Sequence, residues 1–283
     1  MANIYPYLVE FKNNFNTDFN LITAVSFTGS FDTPSANINM EQIYSEKSNG
    51  EHIVYGHKFT EAAQVTITFV KKDYTVFTNE ETRKFLRWLG GRKKTDWLKL
   101  YDQDHEEICE YLGSFTEILE QVADSRTLGY IATFTSVTPW AFSPTRHIQQ
   151  TFTGTETIKV ESKSDIQDIT IRPYLTIQPL NKDVSKLSIE NTTTKRITII
   201  NNIKQKEIIT LDNENKIAFS DNDLRIMGED FVGDVDGFVT NYPVFLELDG
   251  STDNKLIFTA IPSTAQVLYS LQYRYPMQLG GTF

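Results

Sequence analysis

Four histidines, one cysteine and several tight acidic clusters are the side chains of this 283-residue chain whose types could do chemistry. Their spacing argues against most of it. His52 and His57 fall on opposite sides of a strand, a poor arrangement for sharing a metal ion. These two, like His105 and His147, stand in polar sequence and read as surface or hydrogen-bonded imidazoles. Cys109 lies in Glu106-Glu107-Ile108-Cys109-Glu110-Tyr111, where the acidic neighbours oppose formation of a reactive thiolate. It reads as a small apolar strand residue. As a lone cysteine it makes no intrachain disulfide, which suits folding in a reducing cytosol.

The acidic clusters Asp212-Asn213-Glu214, Asp221-Asn222-Asp223 and Asp234-Val235-Asp236-Gly237 are rich in oxygen ligands. None has the alternating ligands, central glycine and terminal bidentate glutamate of a calcium loop. Asp, Asn and Gly tolerate turn geometry, so all three read as hairpin turns. There is no Gly-x-Ser-x-Gly elbow, no phosphate loop and no His-Glu-x-x-His. Paired carboxylates for glycoside hydrolysis must face each other across a cleft, and no local pattern encodes that. The chain is therefore expected to be no enzyme, with no catalytic, cofactor-binding or metal-site residue and no cofactor.

One run has the wrong sign for its surroundings. Arg83, Lys84, Arg87, Arg92, Lys93 and Lys94 cluster within a chain of net charge −10. Singly, each reads as part of a solvated face; together they form a patch suited to an acidic partner or a neighbouring subunit. The overall acidity argues against nucleic acid as the main partner, because phosphate neutralisation drives such binding. No apolar run approaches the ~20 residues of a membrane-spanning helix. Met1-Ala2-Asn3-Ile4-Tyr5-Pro6 lacks the basic and apolar regions of a secretory signal.

The elements that would carry these residues are mostly strands. A hydrophobic content of 40% is that of a globular protein. At ~100–200 residues per domain the length suggests two domains. Residues 63–70 alternate, with Val65, Ile67 and Phe69 on one face; residues 130–137 do the same with Tyr130, Ala132 and Phe134. Shorter strands are expected over 97–101 and 108–112. One helix is expected over 79–89: Thr78 and Glu81 form a capping box, Phe85, Leu86 and Leu89 an apolar stripe, and Gly90-Gly91 a stop. Residues 31–56 are polar with weak strand character, and read as a surface arm. Residues 145–157 read as a polar boundary segment, with the domain break near 145–155. Strands are then expected over 157–160, 169–177, 187–190, 196–200, 207–211, 216–219, 245–248 and 255–259. Turn residues such as Asn191, Asp249-Gly250 and Asp253-Asn254 separate them, the pattern of a β-sandwich or jelly roll.

Three segments carry a family resemblance: Arg83-Lys84-Phe85-Leu86-Arg87-Trp88-Leu89, Trp97-Leu98-Lys99-Leu100-Tyr101-Asp102-Gln103-Asp104, and Thr133-Phe134-Thr135-Ser136-Val137-Thr138-Pro139-Trp140-Ala141. This order of helix, strand with Asp-rich turn and closing Pro-Trp segment resembles the distal tail proteins of bacteriophages with long, non-contractile tails. Ile209-Thr210-Leu211-Asp212 and residues 242–250 resemble the family's galectin-like C-terminal sandwich. The resemblance implies a mainly β chain with one prominent helix. It implies a split-barrel-like, ring-forming domain over residues 1–148, with residues 266–283 returning to complete it, as 266–275 alternate well enough to do. A galectin-like β-sandwich would occupy 149–265.

As a structural virion protein, the chain would form a homo-hexameric ring joining the tail tube protein to the tail-tip hub, baseplate or tail-associated lysin. It would be assembled in the host bacterial cytoplasm, with the arm at 31–56 reaching a neighbouring protomer and the second domain facing outward toward a receptor-binding protein. The rival reading is a carbohydrate-binding module for host cell-wall attachment. All three tryptophans (Trp88, Trp97, Trp140) precede the second domain, a departure from sugar-binding galectins.

Overall fold

A computed structural model of the chain describes residues 6–24, 40–46, 52–59, 62–90, 95–166, 168–221, 230–235, 237–240 and 244–277. The chain divides into two compact units: one running up to Pro144 and including Met277, the other Thr145–Pro276. The fold is mainly β with one α-helix among the described residues, the class expected from sequence.

The first unit is built on an antiparallel sheet. Its strands are β1 (Leu8–Phe11), β2 (Leu21–Ala24), β5 (Gln64–Lys71), β6 (Asp96–Tyr101), β7 (Glu107–Ala123) and β8 (Arg126–Ser136). Their order is β1-β6-β7-β8-β5-β2, with Asn14–Phe15 outside β1. Between β2 and β5, β3 (Met40–Glu46) and β4 (His52–Phe59) pair only with each other, as an antiparallel ribbon. The alternation of 63–70 and 130–137 holds: Val65, Ile67, Phe69, Tyr130, Ala132 and Phe134 are all buried.

The helix, α1 (Asn79–Leu89), has the expected bounds. The Thr78 amide donates to Glu81 Oε2 at 2.8 Å, and the Glu81 amide donates to Thr78 Oγ1 at 3.3 Å. At the other end Lys12 donates to the carbonyls of Trp88 and Gly90 at 2.9 and 3.2 Å, placing a cation against the negative end of the helix dipole. Gly90 stops the helix in extended rather than left-handed backbone. A Cβ there would lie 2.8 Å from the Leu86 carbonyl oxygen.

The apolar stripe differs from expectation in one residue. Leu86 is exposed and Trp88 is buried with Phe85 and Leu89. At 100° per residue, position 88 returns to the face of 85 while 86 turns away from it. Phe85 stacks on Tyr130 (4.6 Å) and meets Phe69 edge-on (5.5 Å). Trp88 stacks on Phe19 (4.6 Å), and its indole N–H donates to the Phe11 carbonyl at 2.8 Å. These contacts anchor α1 to the sheet.

The second unit is a two-sheet antiparallel sandwich. One sheet runs in the order β9 (Arg146–Thr153), β19 (Gln266–Tyr273), β11 (Tyr174–Pro179), β14 (Ile209–Asp212), β15 (Ile217–Ser220). The other runs β10 (Thr155–Val160), β18 (Asn254–Ile261), β12 (Val184–Asn191), β13 (Arg196–Ile203), β16 (Phe231–Val235), β17 (Phe238–Thr240). The inner faces meet where Phe258 of one sheet stacks on Tyr269 of the other at 4.5 Å.

The sequence expectations need correction in two places here. The polar segment 145–157, at whose start the two units divide, carries strands: β9 and the start of β10 occupy it. Each is the edge strand of its sheet, so its outer side chains face water and a polar composition costs nothing. Of the expected returning segment 266–283, residues 266–273 stay in the second unit, where β19 pairs with β9 on one side and β11 on the other, and the chain rejoins the first unit at Met277, whose short strand pairs with Ala141–Phe142. Val267, Tyr269 and Leu271 are fully buried on β19, so the alternation marks a central strand of the sandwich. The stretch 169–177 is also broken, into Thr170–Ile171 and β11, around Pro173, which has no amide to donate to a ladder.

Candidate assembly interface

Two hairpins of the first unit are candidates for contact with another molecule. The larger is the β7–β8 hairpin. Its root is core: Phe115 and Phe134 meet edge-on at 5.2 Å, and Phe11 packs against both. Past Phe115 the ladder is interrupted twice. Thr116 is skipped between the Phe115–Phe134 and Glu117–Thr133 pairs, and Leu128 between Gln121–Gly129 and Val122–Thr127. Each bulge breaks the two-residue phase and adds local twist.

The hairpin closes through Asp124 and Ser125, both left-handed (φ 50° and 59°). Two positive φ values in a two-residue loop give the turn that matches strand twist. Glu120 accepts from the Thr127 hydroxyl, and the Thr116 and Thr135 hydroxyls meet at 2.8 Å, holding the ribbon beyond the core. Glu117, Leu119, Glu120, Val122 and Leu128 are exposed there, Leu119 at 48% and Val122 at 58%. From Gly129 on, β8 is flanked by β5 as well, so only the tip over 122–128 is two-stranded, and there such a hairpin is marginal in water by itself. Exposed apolar side chains on a regular strand make it a candidate surface for contact with another molecule.

The second is the β3–β4 ribbon, with a bulge between Ile43 and Tyr44. It falls within the polar stretch 31–56 and extends past it to Phe59. The arm expected there therefore contains regular strands, contrary to its weak strand character in sequence. Residues 31–39 and 47–51 lie outside the described residues.

The basic run divides in the same way. Arg83, Lys84 and Arg87 stand exposed on the outer face of α1 beside Leu86, while Arg92, Lys93 and Lys94 lie outside the described residues. Lys84 pairs with Glu80 one turn back at 2.9 Å. Lys71, mostly buried, pairs with Glu81 at 2.9 Å and ties the cap to β5.

The groups first considered for chemistry are scattered. Cys109 is fully buried opposite Leu100 on β7, and burial together with Glu107 and Glu110 pushes its thiol well up. His52 and His57 lie on β4, His105 next to the Tyr7 ring, and His147 on β9 within 2.7 Å of Ser270 Oγ. Asp212 and Asp234 accept amide hydrogen bonds from Asn215 and Gly237, as turn residues do. Asn213 does more than turn: fully buried, it donates to the Pro173 carbonyl at 2.5 Å and accepts from the Leu246 amide at 2.7 Å. Among the described residues, no group of three or more His, Cys, Asp or Glu gathers as a metal site would need. Nor is any helix there long and apolar enough to cross a membrane.

Residues 9–137 match the family model of a phage tail protein N-terminal domain, and residues 140–234 that of a phage tail C-terminal domain. The chain belongs to this phage tail protein family. Among solved structures it is similar to the Dit (gp 19.1) protein of phage SPP1, described as a paradigm of the hub adsorption apparatus in phages infecting Gram-positive bacteria. The two share 10% identity with a TM-score of 0.59, over 94% of this chain and 98% of that one. The distal-tail-protein resemblance read from residues 83–144 and 209–250 thus holds at the level of fold. The baseplate of phage P2 in its activated, calcium-containing conformation gives 9% identity over 95% of this chain and 98% of that one. Its TM-score of 0.46 is too loose a likeness to add weight. No curated protein matches the sequence. This phage tail protein is a structural component of the tail, and hence of the virion.

Proposed function

We propose that the chain forms a homo-hexameric ring at the tail tip, joining the tail tube protein to the hub, baseplate or tail-associated lysin. The observation that carries this reading is the outer half of the β7–β8 hairpin, regular in structure yet apolar and exposed at Leu119, Val122 and Leu128. A neighbouring protomer laid against this ribbon would remove that surface from water at ~25 cal/mol per Å² of apolar area. The β3–β4 ribbon, unpaired with the main sheet, serves as the second arm between protomers. The protein works as a scaffold without catalysis, is assembled in the host bacterial cytoplasm, and offers its second unit to a receptor-binding protein. Negative-stain images of the purified full chain test the ring: six-fold annular particles are expected, and uniformly single particles at high concentration would remove the proposal.

A further inference from the structure

The second unit holds a cavity of about 270 Å³ where the edge strands of its two sheets, β9 and β10, reach the end of the sandwich. Arg146 opens β9, faces Tyr273 in register across the ladder, and lies on the same side of its strand as Ile148 and the buried Phe152. Its guanidinium stands over the Tyr275 ring, 6.0 Å from the centroid, and donates to the Tyr275 hydroxyl at 3.3 Å. Lys163 lines the same cavity. Among the described residues no carboxylate pairs with Arg146 or Lys163. Lys159 also lines it, already paired with Asp253 at 2.6 Å, and Glu161 contributes the lining carboxylate. The site therefore stays cationic within a chain of net charge −10. The Tyr273 hydroxyl donates to the Glu161 carbonyl at 3.3 Å, and burial pushes the phenol up.

We propose that this cavity binds a small phosphoryl-bearing ligand, a phosphate ester of a sugar or polyol. Arg146 offers a planar fork of donors, Lys163 a separate ammonium, and Tyr273 a hydroxyl that would exchange the Glu161 carbonyl for the ligand from a third direction. Donors converging from several sides suit a tetrahedral group with three oxygens better than a flat carboxylate with two. The volume exceeds what a bare phosphate needs, and Ile148 with the tyrosine rings gives the remainder of the ligand an apolar surface. The binding is independent of ring formation, which is read by particle mass rather than by titration.

Calorimetric titration of the full chain with glucose 1-phosphate tests the proposal, with inorganic phosphate as competitor and glucose and glucuronate as controls. Glucose 1-phosphate binds, inorganic phosphate displaces it, and added salt weakens it. Arg146→Gln and Lys163→Gln each weaken it roughly tenfold or more, the loss of one charge-assisted contact. Lys163 lies outside the regular strands, so its variant keeps the sandwich, as an unchanged melting temperature verifies. No binding of glucose 1-phosphate, equal binding of glucose or glucuronate, or unchanged affinity in both variants would overturn the assignment.

Discussion

In the second unit each sheet turns one face onto the other, so that Phe258 and Tyr269 stack in the middle and the long strands are half buried along their length. In the first unit the longest strand behaves otherwise: β7 has buried side chains only as far as Gly113 and then runs on exposed at Thr116, Glu117, Leu119, Glu120 and Val122, while β8 beside it keeps Tyr130 and Ala132 buried. The same secondary structure thus does two jobs. Where the sheet is covered by α1 or by another sheet, its apolar side chains stabilise the unit. Where it outruns its cover they stand in water, and the proposed ring would cover them.

Substitutions sharpen that contrast. Phe85→Ala removes the ring that locks α1 onto β5 and β8, and should cost the first unit about 3–5 kcal/mol. Urea unfolding followed by near-UV circular dichroism should show an early transition from the first unit and an unmoved one from the second. Asn213→Ala strikes the second unit, leaving the Leu246 amide and the Pro173 carbonyl unpaired in the core at about 1–3 kcal/mol. Here the transition that shifts should be the other one.

Thr78→Ala removes the cap of α1 for about 1 kcal/mol. Acid should reach the same cap. The Thr78 amide, then Lys71, hold the Glu81 carboxyl below its ordinary value of 4.5. Its contribution is therefore complete above that value and is lost as pH falls through the lowered one. The group is largely exposed, so the effect is small, and Glu81→Gln should flatten it in a pH series of melting temperatures. Least of all should Leu119→Asp change folding, within about 0.5 kcal/mol, because the residue is outside the core.

The same contrast explains what the sequence made legible. Val65, Ile67 and Phe69, or Tyr130, Ala132 and Phe134, sit on strands with one face in the core, and alternation reveals them. The helix declared itself through Thr78 and Glu81, whose hydrogen bonds are local. By contrast, Phe115, Ile118, Leu119 and Val122 do not alternate, because the bulge at Thr116 shifts the phase and no side chain of β7 beyond Phe115 is fully buried to enforce it. The strand was read only to residue 112 for that reason. Edge strand β9 hid in polar sequence because only Phe152 needed to be deeply buried. The cavity beside it could not be read at all: Arg146, Lys163 and Tyr273 are brought together by sheet pairing across more than a hundred residues. Asn213 looked like a turn residue, and only its burial shows the bridge it makes.

Native mass spectrometry of the full chain beside its Leu119→Asp variant reads the ring and its hairpin contact together. A hexamer is expected for the parent chain, and a monomer with an unchanged melting temperature for the variant. A monomeric parent, or a variant that assembles as well as the parent, would contradict the proposal.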